Sequence, residues 1–260
     1  MKIAVSGKGG VGKTTVAGTM ARILARRGFR VLAIDADPNT NLALTLGIPL
    51  SEAEKVAPIS DNADLIERKT GVRPESYGGV FRLSFRVDDI VERFCLRGPE
   101  GVGLLVVGTV RAGGQGCMCP ANALVRSLLR YLLTRRDEVV VVDMEAGIEH
   151  LGRGTARHVD AMLVVVEPSV KSLETAKRVD RLATELGVER VLVVGNKVTT
   201  PSDRRMIERF CHESGIPLLA MIPYDEAIRE ADAQGRAPID DAPDSPGMAS
   251  IREICDALIV

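Results

Sequence analysis

Aromatic side chains are scarce in this chain of 260 residues: they make up 3% of it, and Trp is absent. That speaks against the stacking platforms on which proteins hold single-stranded nucleic acid. An excess of one charge is missing too. The 34 Lys and Arg stand against 35 Asp and Glu, and a net charge of −1 sets up no global field for nucleic acid or an anionic membrane. No apolar run approaches the roughly 20 residues needed to span a bilayer. At the start of the chain, Gly7 and Lys8 interrupt the apolar stretch that a signal peptide requires. Five cysteines are few and odd in number, which argues against a disulfide framework and leaves metal or redox use open. A cytoplasmic protein with neither nucleic acid nor membrane as partner is the expectation.

What is present is ordinary globular material, 45% apolar and 27% charged, long enough for one large domain spanning 1–260. Buried strand-like runs occur at Lys2–Ser6, Phe29–Ile34, Gly103–Val107, Glu138–Val142, Ala161–Val166, Arg190–Val194 and Pro217–Ile222. Helical spacing fills the gaps at Thr14–Arg27, Asn122–Thr134, Ser172–Leu186, Pro201–Ser214 and Ile251–Leu258. Continuous β-branched runs alternating with helices predict an α/β fold, a mostly parallel, doubly wound sheet with helices on both faces. Ligands then bind beyond the carboxyl ends of the strands. Ser51–Leu96 is the least regular stretch and is read as an irregular insertion on the active face. Asp240–Pro246 bridges to the final helix.

The first strand runs directly into Gly7-Lys8-Gly9-Gly10-Val11-Gly12-Lys13-Thr14-Thr15, which has the spacing G-x-x-x-x-G-K-[ST]. Glycines let the backbone curl so that several N–H groups point at one anion, and the following helix adds its positive end. Residues from Gly9 to Thr15, that is Gly9, Gly10, Val11, Gly12, Lys13, Thr14 and Thr15, are the phosphate-binding candidates. Lys13 reaches the β- and γ-phosphates and the Thr14 hydroxyl binds Mg²⁺. Lys8 has little to do for its own nucleotide in so compact a loop. A long cation there suits a neighbouring subunit's phosphates, which predicts a hydrolase whose two copies meet face to face.

Two carboxylates, Asp35 and Asp37, end the second strand, where they can hold Mg²⁺ or orient an attacking water. The competing reading is a polar loop with Asn39 or Asn41 as a helix cap. Val139–Val142 followed by Asp143 is four apolar residues delivering a carboxylate to the metal, usually through water. The segment from Met144 to Gly154 suits a switch loop that senses the γ-phosphate, with His150 a polar member rather than a base. His158 and His212 are expected on helix surfaces. Asn196-Lys197-Val198-Thr199 lacks the aspartate that a guanine reader needs at 199, so adenine, and hence ATP, is preferred. Asn196 can bond the base, and Ile222-Pro223-Tyr224-Asp225, with Pro223 the candidate contact, is either the other wall of its pocket or a simple strand-to-helix turn.

Cys117 and Cys119 stand one residue apart, after a glycine run and before a helix. Closing so small a ring strains a disulfide, whereas two thiolates suit a soft metal. One pair gives two ligands, and a two-fold dimer would complete a set of four. Small apolar packing and redox exchange are the alternatives. Cys95, Cys211 and Cys255 show no ligand spacing and are read as structural.

The lysine-rich phosphate loop resembles the deviant Walker A loop of the MinD/ParA/nitrogenase iron protein class. With Gly113–Pro120 and the stretch from Asp143 to Gly154, the chain looks like one branch of it, the CooC-type ATPases that help insert nickel into carbon monoxide dehydrogenase or acetyl-CoA synthase. The resemblance covers Met1 to about Gly235 and is thinnest over 51–96. It implies an ATP-switched homodimer bridged by Ni²⁺ or Zn²⁺ at Cys117 and Cys119, with a nickel enzyme as client. It assigns Lys8 as the trans lysine, Lys13 and Thr14 as phosphate and Mg²⁺ ligands, Asp37 as the water-orienting carboxylate and Asp143 as the carboxylate that holds Mg²⁺ through water. An iron–sulfur reductase of the same class would want a further cysteine between Asp143 and Val166, and none is there. An iron–sulfur assembly scaffold would want Cys-x-x-Cys. A partitioning or membrane-positioning ATPase would want a basic face or a basic amphipathic tail, and Ile251–Val260 carries only Arg252 against Glu253 and Asp256.

Overall fold

A computed structural model describes residues 1–37, 39–73, 82, 85–108, 119–135, 138–145 and 156–259. Eight strands form one sheet: β1 (Lys2–Gly7), β2 (Val31–Ala36), β3 (Leu96–Arg97), β4 (Gly103–Val106), β5 (Val139–Met144), β6 (Ala161–Val166), β7 (Val191–Val198) and β8 (Leu218–Pro223), in the order β3-β4-β2-β5-β1-β6-β7-β8. Every strand pairing among the described residues is parallel except that of the short edge strand β3 with β4. The central strands are buried along their whole length, which is why they read as largely apolar runs without polar alternation.

Alternate residues feed two cores. On β5, Val139 and Val141 face one side with Ile3 and Val5, while Val140 and Val142 face the other with Ala4. The first side is covered by α1 (Lys13–Arg26), the short α2 (Leu42–Thr45) and the C-terminal α11 (Pro246–Leu258). The second is covered by α4 (Ala63–Thr70), α5 (Asp88–Phe94), α6 (Cys119–Arg135), α7 (Val170–Leu186) and α8 (Pro201–Ser214). α3 (Leu50–Ala53), α9 (Glu226–Ala233) and α10 (Pro238–Asp241) lie in the connections. Within α1, Val16, Met20 and Leu24 are buried, each contributing on the order of 1.5–3 kcal/mol.

The cap chemistry accounts for where the sequence reading misplaced boundaries. Phe29 is not in β2: Gly28 takes φ +90° after α1, and the Phe29 N–H bonds back to the Leu24 carbonyl at 3.2 Å, so the chain is still closing the helix there. α11 starts at Pro246, not Ile251, because Ser245 caps it and Pro246 fits the first turn. β7 runs on to Val198 through an irregular register, with Lys197 at φ +58°. The expectation of an irregular insertion at 51–96 is also corrected. Its described part holds α3, a 3₁₀ turn at Ile59–Asp61, α4, α5 and β3, and it sends Ile59, Leu65, Ile66 and Ile90 into the second core. Its charged outer faces hid this. Asn62, which caps α4 by accepting from Leu65 N at 2.9 Å, was the available signal.

Arg22 on α1 is almost wholly buried. Its guanidinium donates to Glu100, to Asp240 (2.8 and 3.0 Å) and to the Leu46 carbonyl (2.8 Å). Burial opposes the charge, but the two carboxylates more than offset it and leave its pKa above the ordinary value. The cluster fastens the helix behind the phosphate loop to the turn before β4 and to α10.

Candidate functional site

β1 and α1 place the phosphate loop at the carboxyl edge of the sheet, between β5 and β6. Two positions are costly for any residue but glycine. A Cβ on Gly7, at φ +147°, would sit 2.3 Å from the Val165 carbonyl oxygen, and one on Gly12, at φ +95°, would sit 2.3 Å from Asn196 Nδ2. Gly12 is also the N-cap of α1 and offers no side chain to its first N–H groups. Those donors face the place where a phosphate would lie.

Four predicted residues meet beneath the loop, in two pairs. Thr14 donates to Asp143 Oδ2 at 2.6 Å, and Lys13 Nζ lies 3.8 Å from Asp37 Oδ2. Asp143 Oδ1 is buried and has no hydrogen-bond partner among the described residues. Burial pushes the Asp143 carboxyl up to about 7, against the Thr14 hydroxyl and the Lys13 charge. An orphaned carboxylate oxygen next to a threonine hydroxyl fits a hydrated divalent cation, which would relieve both costs. These residues therefore fit Mg²⁺.

The two carboxylates after β2 have different jobs. Asp35 is opposite Asp143 in the β2–β5 register. Its oxygens accept Asp37 N (3.2 Å) and Leu42 N (3.0 Å), so it shapes the loop and starts α2. Asn41 occupies the N-cap position of α2, but its side chain makes no cap bond. Burial, with the neighbouring Asp143 charge, pushes Asp35 up to about 8. Asp37 accepts Asn39 N at 2.8 Å through Oδ1 and turns Oδ2 toward Lys13. Asp37 is thus the carboxylate of the pair that faces the phosphate loop.

At the other end of the loop the structure adds a residue that sequence reasoning passed over. Asn196 Nδ2 donates to the Val11 carbonyl at 2.7 Å, and Lys197 Nζ donates to the Gly10 carbonyl at 2.6 Å. Together they brace the loop from β7, and the left-handed backbone of Lys197 aims its side chain there. The missing aspartate at 199 drew attention to the base and away from this clamp. Asp203 accepts from Thr199 N and Thr200 N, and Asp225 accepts from Ala227 N, Ile228 N and Gly247 N. Both are committed to capping helices, so neither reads a guanine edge. A cleft of about 580 Å³ runs from Gly10, Gly12 and Lys13–Val16 past Asn196, Pro223 and Tyr224 to Arg229 and Arg236.

Lys8 is half-exposed, and its Nζ lies 3.8 Å from Glu167 Oε1 beyond β6. Ser6 donates to the Glu145 carbonyl at 2.9 Å, which fixes the exit of β5. His150 and most of the proposed switch loop lie outside the described residues, as does Cys117. Cys119 opens α6, with its side chain outside the description too. Among the described residues no group of three metal-ligating side chains is present. His158 and His212 are exposed, His158 in a turn rather than on a helix. Burial raises the thiols of Cys211 and Cys255 to about 11 and about 12, which suits inert packing groups. No helix among the described residues is long and apolar enough to cross a membrane.

Residues 2–239 match the family described as the CobQ/CobB/MinD/ParA nucleotide binding domain. The chain is 47% identical over 243 residues to the carbon monoxide dehydrogenase accessory protein CooC of Rhodospirillum rubrum, covering 94% of this chain and 91% of that one. It is 44% identical over 236 residues to an uncharacterised ATP-binding protein of Methanocaldococcus jannaschii, covering 91% and 90%. Its fold matches a ParA family ATPase from Chlorobium tepidum (TM-score 0.72, 21% identity, 100% and 99% covered). It also matches the MinD cell division protein of Aquifex aeolicus (TM-score 0.69, 22% identity, 100% and 97% covered).

Proposed function

Because this chain is an ATPase belonging to the CobQ/CobB/MinD/ParA nucleotide-binding family, we propose that it is a cytoplasmic metallochaperone. Its single domain closes as an ATP-switched homodimer and assists nickel insertion into carbon monoxide dehydrogenase or a related acetyl-CoA synthase. The observation that carries the client is the 47% identity to CooC over more than nine-tenths of both chains. The cargo is Ni²⁺ or Zn²⁺, held by Cys117 and Cys119 of each protomer, four thiolates in all.

The described residues support the hydrolytic part of this reading. Mg²⁺, when bound, neutralises charge on the β- and γ-phosphates, and Thr14 with Asp143 would hold it. Lys13 places its ammonium against the same phosphates. Gly9 to Thr15 direct backbone N–H groups at them, and Asn196 and Pro223 flank the adenine end. Asp37 orients a water toward the γ-phosphorus. The bond to the bridging oxygen breaks, and phosphate leaves with the water's oxygen. Lys8 reaches the partner's nucleotide, so closure and chemistry are linked, and separation after hydrolysis opens the thiolate site.

Metal content and mass of the purified protein, alone and with Ni²⁺ or Zn²⁺, test this against a Cys117→Ala/Cys119→Ala variant. One metal per two chains, lost in the variant, is the expected result. No binding, or equal binding by the variant, would reduce the cysteines to packing residues and leave a dimeric ATPase of unknown client.

A further inference from the structure

Lys8 and Glu167 leave neighbouring strands side by side. Gly7 is paired with Val165 in the parallel β1–β6 register, and one chain continues into Lys8 while the other turns at Glu167. The lysine ammonium and the Glu167 carboxylate end 3.8 Å apart, each partly exposed. The carboxylate is itself held. Ser169 donates to the same Oε1 at 3.2 Å, and the Glu167 N–H donates to Ser172 Oγ at 3.1 Å. Ser169 is also the N-cap of α7, so the glutamate is anchored to the start of a long, well-packed helix. Lys13 faces Asp37 and Lys197 is bonded to the loop, whereas Lys8, among the described residues, is paired with this acidic partner alone.

We propose that Glu167 is the resting counter-ion of Lys8. It acts as a latch that keeps the lysine within its own protomer and must open before two protomers close on ATP. This rests on the reading of Lys8 as a residue that acts in trans. A carboxylate beside the lysine in cis competes with the partner's phosphates for the same charge, so the free chain rests as a monomer until nucleotide outbids Glu167. A partly exposed pair shifts an equilibrium by only a few-fold. A two-fold dimer, however, must open both latches at once, so the effect on the dimer constant is the product of two such factors, on the order of ten-fold. Glu167 is a positioning residue: it contacts Lys8 and neither phosphate nor metal.

The test is sedimentation velocity of the full chain with Mg²⁺ and a non-hydrolysable ATP analogue, comparing wild type, Glu167→Gln and Glu174→Gln. Glutamine keeps the length and the acceptor for Ser169 while removing the charge. Glu174, paired with Lys177 at 3.5 Å on the same helix, controls for bulk charge. The latch predicts a dimer roughly ten-fold tighter in E167Q at low salt. The gap should close near half-molar salt, where screening weakens the wild-type pair. E174Q should match wild type, and urea midpoints should agree across all three. A dimer indifferent to E167Q, weaker in it, or equally tightened by E174Q overturns the latch while leaving the dimer standing. A wild type that stays monomeric with nucleotide overturns the trans-lysine reading and the latch with it.

Discussion

Substituting Gly12 should damage the protein through Asn196, and removing Asn196 should then rescue part of the damage. In Gly12→Ala the new Cβ is built 2.3 Å from Asn196 Nδ2 on a backbone at φ +95°. Left-handed backbone costs a non-glycine residue about 1–2 kcal/mol. Pushing the amide aside also breaks its 2.7 Å bond to the Val11 carbonyl, worth about 1 kcal/mol. Residual crowding brings the single substitution to about 3 kcal/mol. Asn196→Ala alone loses the hydrogen bond, about 1 kcal/mol. In the double variant the clash partner is gone, so the total should be about 2–3 kcal/mol rather than the sum of about 4, a coupling of about −1 to −2 kcal/mol. Urea unfolding of the nucleotide-free protein measures all three variants without involving base recognition. Additivity within about 0.4 kcal/mol would show that the two residues are not in contact and would refute the clamp.

Asp37→Asn should keep ATP affinity within a few-fold while lowering the phosphate-release rate by roughly 10²-fold or more, the scale of losing a positioned catalytic carboxylate. Equal losses in both would assign Asp37 to binding. Asp35 is raised to about 8 in the fold by burial and by Asp143, from an ordinary carboxylate value when unfolded. The folded form therefore keeps a proton that the unfolded form releases, and that stability is lost as pH rises from about 4 to about 8. Thermal scans without Mg²⁺ or nucleotide should show a lower Tm at pH 8 than at pH 6, and Asp35→Asn should flatten the trend even though Asp143, Asp37 and Lys13 remain. Gly108 has φ +70°, and a Cβ there would lie 2.7 Å from Ser60 Oγ. Gly108→Ala should leave ATP binding near wild type but reduce the nucleotide dependence of metal affinity, read by titration with and without the ATP analogue.

The sheet was legible because burial on both faces removes the polar half of the usual strand alternation, so β1, β5 and β6 stood out as largely apolar runs. The phosphate loop was legible because each of its constraints falls on a single residue type: glycine where a Cβ would strike Val165 or Asn196, lysine and threonine where a phosphate and a cation need them. The rest depended on contacts distant in sequence. Nothing near Lys197 in the chain announces a bond to Gly10, and nothing near Arg22 announces Glu100 and Asp240. Asp35 and Asp37 looked alike as a pair two residues apart. Only the backbone N–H groups that converge on Asp35 separate the residue that builds the loop from the one left to face the phosphates. Helix starts at Val170 and Pro246 were missed for a simpler reason: apolar periodicity begins after the cap, and the serines that set the ends carry no periodic signal.

The same Asp35 suggests how a nucleotide signal would travel to the cysteines. Its side chain holds the loop that carries Asp37, and its carbonyl oxygen accepts both Val107 N at 2.8 Å and Gly108 N at 3.0 Å. Val107 in turn accepts Ser60 N at 3.0 Å, so the same short stretch bonds the nucleotide loop on one side and the 3₁₀ turn that packs on α6 on the other. Gly108 is where the chain departs toward Cys117, and Cys119 opens α6. In the proposed cycle, a rearrangement of the Asp35–Asp37 loop on meeting a γ-phosphate would act one hydrogen bond away from Gly108, from which the chain runs on to Cys117 in sequence. No long relay is required. The proposed coupling element would be the junction of the adjacent parallel strands β2 and β4, and packed junctions of that kind shift between discrete arrangements rather than deform by degrees.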